Sequence, residues 1–221
     1  MIEQERKSRG AERYGAWIRR LTYGGLLLAI GIVLPQVFHL TGGPASGATF
    51  LPMHIPVLIA GLLLGPVYGL ILGGVTPVCS FLITAMPVAA RLPFMIVELA
   101  IYGGVSGLLY HTAGLSRIRL PGRFRDGEGD HSGPRTPERL AGLYISLVLA
   151  MIAGRVVYAV SLLIMGRLFG LEKADPDAIL TAVATGIVGI MIQIIVIPPI
   201  IFALQKGGLT NGLVKKSNSQ A

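Results

Sequence analysis

Apolar residues in this chain come in long unbroken runs, and the runs define the elements. The first extends from Ile18 to Leu40, with Trp17 and Tyr23 placed as interfacial aromatic anchors. A Gly/Pro/Ser/Thr stretch, Thr41 to Thr49, lacks a helical pattern and predicts a loop. Residues 50–86 are almost uncharged but too many for one span. Gly65-Pro66 is the natural break, giving two short helices joined by a tight turn and made irregular by Pro52, Pro56 and Pro77. Residues 85–93 predict a second loop, and a fourth run spans Phe94 to Thr112. After a charged stretch rich in Gly and Pro, 114–138, a fifth run covers Leu140 to Phe169. Gly170 to Asp177 then form a short loop, and a sixth run covers Ala178 to Leu204. Runs of this length match the ~20 residues a helix needs to cross a bilayer. The pattern predicts an all-α membrane protein, a bundle of six transmembrane helices. Its parts are a basic N-terminal segment (1–20), the membrane domain (21–204) and a polar tail (205–221).

Composition agrees. Hydrophobic residues make up 52% of the 221 and charged residues only 14%, with a mean hydropathy of +0.69. A soluble domain carries about 25% charged residues, so a soluble enzyme, a disordered regulator and a secreted disulfide scaffold are all excluded. A cleavable signal peptide has a shorter charged region, so the first run reads as a retained helix. The net charge of +8 is explained by where it sits: fifteen of the nineteen Lys and Arg lie in 1–20, in 114–139 or beyond residue 205. With four spans before the loop at about 114–138 and two after it, all three basic segments fall on one side. The positive-inside rule makes that side, with both termini, cytoplasmic. Contact with an anionic lipid bilayer follows; nucleic acid is not needed as a partner.

Small residues at four-residue spacing mark close helix packing in lipid. They occur as Gly65, Gly69 and Gly73, as Gly103 and Gly107, as Ala150 and Gly154, and as Gly25 and Ala29.

Strongly polar side chains inside the apolar runs are few: His54, Glu98, Arg155 and Gln193, with Arg91 at a loop edge. An unpaired charge in hydrocarbon costs at least ~2.5 kcal/mol, so each is a candidate for function. Glu98 and Arg155 either pair to pin two helices or meet a ligand, and one pair can do both. Gln193 satisfies backbone freed by the Pro198-Pro199 pair or hydrogen-bonds a ligand. His39 and His54 are not spaced as a metal pair, and a single cysteine, Cys79, excludes a multi-cysteine metal site. No metal or other cofactor is expected.

Gly104-Val105-Ser106-Gly107 matches the Gly-x-Ser-Gly of rhomboid-type intramembrane proteases. Such a serine needs a base, and residues 178–204 hold no histidine. Gly-Lys occurs nowhere, so no Gly-x-x-x-x-Gly-Lys phosphate loop is present. Any nucleotide hydrolysis belongs to another subunit.

Certain strings carry a resemblance: Leu51-Pro-Met-His-Ile-Pro56, Ala60-Gly-Leu-Leu-Leu-Gly-Pro66, Glu98-Leu-Ala-Ile-Tyr-Gly103, Gly154-Arg155 and Gln193 to Pro198. Across residues 21–204 the chain resembles the substrate-binding S components of energy-coupling factor (ECF) vitamin transporters. The resemblance implies a vitamin or precursor bound near the outer face, under the loops after spans one, three and five. By position it implies substrate contacts from His54, Met86, Arg91, Glu98, Arg155 and Gln193. It also implies docking of Gly25 and Ala29, in place of the family's Ala-x-x-x-Ala, against a transmembrane coupling subunit served by two ATPases. The string at 51–56 looks like the branch linked to cobalamin or its precursors. Such a protein is a transporter subunit of a prokaryotic cell membrane, not an enzyme. The rivals are a self-sufficient proton-coupled carrier with Glu98 as its proton site, a ligand-free scaffold, and the serine protease.

Overall fold

A computed structural model describes residues 2–112, 136–169, 184 and 186–206. Among these the chain forms six α-helices: α1 (Ile2–Phe50), α2 (His54–Leu64), α3 (Pro66–Thr84), α4 (Leu92–Gly107), α5 (Thr136–Phe169) and α6 (Ile187–Lys206). The segments expected at 114–135 and 170–177, the first residues of the sixth run, and 207–221 lie outside the described residues.

Two boundaries differ from expectation. The stretch Thr41–Thr49 is helical, not a loop, and α1 runs on to Phe50. It is not straight, however. The Phe38 and Phe50 rings are 5.3 Å apart, whereas twelve residues of straight helix would separate them by about 18 Å. Gly42, Gly43 and Pro44 lie between, the residue types at which helices bend. The breaker signal was real, and it bends the helix without ending it; the helix stops at Leu51, whose φ is +50°. Within the loop expected at 85–93, Ala89–Arg91 form a 3-10 turn leading directly into α4. Pro93 sits in the first turn of α4, where its missing N–H costs nothing.

Five helical segments are long and apolar enough to cross a membrane: 17–40, 66–84, 89–111, 140–164 and 187–206. The remaining helix, α2, has eleven residues and is about 16 Å long, short of the ~30 Å hydrocarbon core. Apolar on all sides, it is buried on all sides: Val57, Leu58, Ala60 and Leu62 are essentially inaccessible. Around it lie Tyr102 of α4, Leu147 of α5, and Ile197 and Ile201 of α6, which close the core. The outward faces remain apolar, with Leu26, Ile30 and Val33 on α1, Leu70 and Val75 on α3, Ile152 and Val156 on α5, and Met191 and Ile195 on α6. A contiguous exposed apolar surface of this kind is suited to lipid.

Glycines set the closest approaches. A Cβ on Gly103 of α4 would strike the Gly69 carbonyl of α3, and one on Gly61 or Gly69 would strike the Gly103 carbonyl; on Gly73 it would strike that of Leu99. On Gly107 it would fall 2.6 Å from the Pro66 nitrogen. Three helices therefore meet backbone to backbone. Gly65, which completes the spacing on paper, serves instead as the α2–α3 turn at φ +101°, a conformation that glycine adopts without penalty. Gly154 of α5 lies against the Tyr102 ring, 2.5 Å from a would-be Cβ, and Gly31 of α1 faces Thr76 and Pro56. Gly25 has nothing within 4 Å, and Ala29 is exposed.

At one end of the bundle a π turn, Leu108–Thr112, extends α4. There His111 Nε2 meets the Leu62 carbonyl at 2.8 Å, Gln205 donates to the Tyr110 hydroxyl at 3.0 Å, and Arg20 lies within electrostatic reach of His111. The first basic segment and the end of α6 thus share one end with the α2–α3 turn.

Candidate binding site

At the opposite end, polar side chains gather inside the bundle. His54 opens α2 directly after the break at Leu51, so its imidazole enters the core at the head of a helix that is otherwise apolar. Glu98 lies in the second turn of α4. Because α5 runs antiparallel to α4, Arg155 comes opposite Glu98. The Glu98 Oε1 is 3.4 Å from Arg155 Nη1 and 3.6 Å from His54 Nε2. Glu98 is 3% exposed and His54 1%, so the charges are met by each other and not by water. Tyr102, one turn beyond Glu98 on the same face, sets its ring edge-on to His54 at a centroid distance of 4.9 Å. Its hydroxyl lies between the fields of Glu98 and Arg155.

Gln193, fully buried on α6, donates from Nε2 to the Leu51 carbonyl at 3.3 Å. The same carbonyl receives the His54 backbone N–H at 3.1 Å. Gln193 is thereby tied to the α1–α2 break, not to the backbone around Pro198-Pro199.

Several atoms of this cluster are buried without a hydrogen-bond partner among the described residues: both ring nitrogens of His54, Glu98 Oε1, the Tyr102 hydroxyl, Arg155 Nε and Nη2, and Gln193 Oε1. Native interiors hold few such atoms, because each costs about 1–3 kcal/mol. Here they come together from four helices. The set offers both donors and acceptors to a small polar molecule.

Of the residues expected at the site, His54, Glu98, Arg155 and Gln193 are thus brought together. Met86 and Arg91 are not part of the buried cluster. Met86 is half-buried, its N–H 3.3 Å from Thr84 Oγ1. Arg91 is exposed at the start of α4 and reaches the cluster only through its field at Tyr158, which also feels Glu98 and Arg155. Gly25 and Ala29 lie elsewhere, on the outer face of α1. Tyr102 and Tyr158 were missed in the sequence. Their spacing was the signal: Tyr102 is four residues after Glu98 and Tyr158 three after Arg155, the intervals that share a helix face.

Ser106 has a packing role. Its hydroxyl donates to the Gly103 carbonyl at 3.0 Å and fills the space beside Gly61, while His111 is engaged with Leu62. Ser106→Ala is expected to leave substrate uptake intact and to change stability by no more than about 1 kcal/mol. A transport assay with a thermal melt checks both; abolished uptake with an unchanged melt would give Ser106 a direct role in transport.

The sequence matches the family model described as "ECF transporter, substrate-specific component" over residues 19–213. No curated protein and no solved structure matches it.

Proposed function

The chain belongs to the substrate-specific components of ECF transporters, and from that premise we propose that it binds a vitamin or vitamin precursor in the His54–Glu98–Tyr102–Arg155–Gln193 cluster for import. It is a multi-pass membrane protein and a transporter subunit, not an enzyme. In our reading the chain crosses the membrane of a prokaryotic cell six times, with α2 as the short buried pass. Both termini are then cytoplasmic and the polar cluster faces outward. The basic residues near Arg20 and Lys206 at the end away from the cluster support that orientation.

One observation carries the reading: among the described residues, buried polar atoms without hydrogen-bond partners converge from four helices on one place in a largely apolar bundle. A scaffold has no use for that arrangement, and a small-molecule site requires it. Native mass spectrometry of the gently purified protein, followed by denaturation, is expected to release a small metabolite in stoichiometric amount. Releasing none, with no thermal shift across a vitamin panel, would reject the site. A cobalamin-related cargo rests on the 51–56 string alone. Three members of that string have architectural work: the Leu51 carbonyl, His54 against Glu98, and Pro56 beside Gly31.

The partners in this reading are an ECF transmembrane coupling subunit and two ATPase subunits. The open face of α1 at Gly25 and Ala29 is the docking surface. Gly25→Leu and Ala29→Leu, made together, are expected to leave the melting temperature unchanged and to abolish co-purification with the coupling subunit. Retained co-purification would move the docking surface elsewhere.

The proton-coupled carrier gains one observation, the His54 ring 3.6 Å from Glu98 as a second relay member. Uptake without any ATPase partner, collapsed by an uncoupler, would favour it.

A further inference from the structure

Taking the cluster as the ligand site, the reading proposed above, we infer that its ligand is an anion, a small molecule bearing a carboxylate or similar planar oxyanion held by the Nε/Nη2 edge of Arg155. Nη1 of that guanidinium faces Glu98 Oε1. The other two nitrogens form the edge whose N–H bonds run parallel, and both are buried with no hydrogen bond of sound geometry among the described residues. A parallel pair of donors matches the two oxygens of a carboxylate, the bidentate geometry to which arginine is suited.

Glu98 stands between His54 and Arg155 through one oxygen, so its contact is with Nη1 and leaves the Nε/Nη2 edge to a ligand.

Gly186 immediately precedes Ile187, and a Cβ there would strike Arg155 Nη2, so the guanidinium packs directly against the turn that leads into α6 and its edge is held in place. Gln193 Oε1, also without a hydrogen-bond partner among the described residues, adds an acceptor for an N–H or O–H elsewhere on the ligand. The class is a small carboxylate with at least one such donor.

The probes are matched acid and neutral forms, nicotinate with nicotinamide, pantothenate with pantothenol and biotin with its methyl ester, together with whatever mass spectrometry releases from the purified protein. The released molecule is expected to carry an oxyanion, and the acid of any pair that binds to bind at least about tenfold tighter than its neutral partner. Arg155→Lys keeps the charge but loses the two-donor edge, and is expected to weaken binding about tenfold or more. Gly186→Ala should do so with both charges in place. A released molecule without an oxyanion, a neutral form binding as tightly as its acid, or wild-type affinity in both variants would overturn the inference and leave the binding site standing. No released molecule, and no thermal shift from any pair, would sink the site and the inference with it.

Discussion

Replacing Arg155 by methionine should destabilise the bundle by about 3–5 kcal/mol, the cost of removing one partner from a buried pair. Most of that loss should return when Glu98→Gln is added. The asymmetry follows from burial. Glu98 is 3% exposed and, among the described residues, its carboxylate meets His54 and Arg155 at 3.6 and 3.4 Å. Without Arg155 its carboxylate is stranded in an apolar interior and must either stay charged at great cost or take up a proton. Glutamine removes the charge, and methionine fills part of the space that the arginine stem occupied. Thermal melts of the two single variants and the double variant in detergent form a cycle whose coupling should exceed about 1 kcal/mol. Additive single effects would mean that the two side chains do not act as a pair. The double variant also separates the two roles of the cluster: it should remain folded and lose its ligand. Wild-type affinity in that variant would reduce the cluster to a pin between α4 and α5.

The same pair shows what could be read from the chain before it was folded. Isolated charges within apolar runs are costly enough to stand out, so His54, Glu98, Arg155 and Gln193 were visible one by one. Their meeting was not, because it depends on α5 running antiparallel to α4 at a register set by Gly154 against Tyr102. Tyr102 and Tyr158 escaped because tyrosine is ordinary in a membrane helix and stands out only once its helical neighbour is known to matter. Met86 and Arg91 were placed by loop position, which puts a residue at the same end of the bundle as the polar cluster but does not say whether it reaches inside.

The helices themselves were legible wherever length decided the matter, and the Gly65-Pro66 break fell where the structure turns. The Thr41–Thr49 segment misled because Gly and Pro bend a helix as readily as they end one. Which face of each helix turns inward is harder still. Lipid and core are equally apolar, so hydrophobicity alone does not separate Leu26, which is exposed, from Leu58, which is fully buried. Small-residue spacing carries more of that information, yet Gly25 and Gly69 look alike in sequence and face opposite surroundings.

Gly103→Ala and Gly104→Ala, one position apart, should therefore behave as opposites. At Gly103 a methyl group meets the backbone of Gly69, with the carbonyl carbon at 2.5 Å and the Cα at 2.9 Å. Backbone cannot rotate aside as a side chain can, so α3 and α4 must separate, and Gly61 with them. Overpacking of this kind costs about 1–3 kcal/mol and sometimes more. In lipid the loss is compounded, because close van der Waals approach is the principal force holding helices together. At Gly104 the nearest atoms are Leu70 side-chain carbons at 3.5 Å, an ordinary contact. Alanine there should be neutral, or stabilising by up to about 1 kcal/mol, since it favours a helix over glycine. The measurement is a pair of thermal melts, with folded yield after detergent extraction as a second readout. A large loss confined to Gly103→Ala means that α2, α3 and α4 form one rigid unit behind the polar cluster. Equal melting temperatures would mean that the three helices do not meet at their backbones, and the register bringing Glu98 to His54 and Arg155 would lose its support.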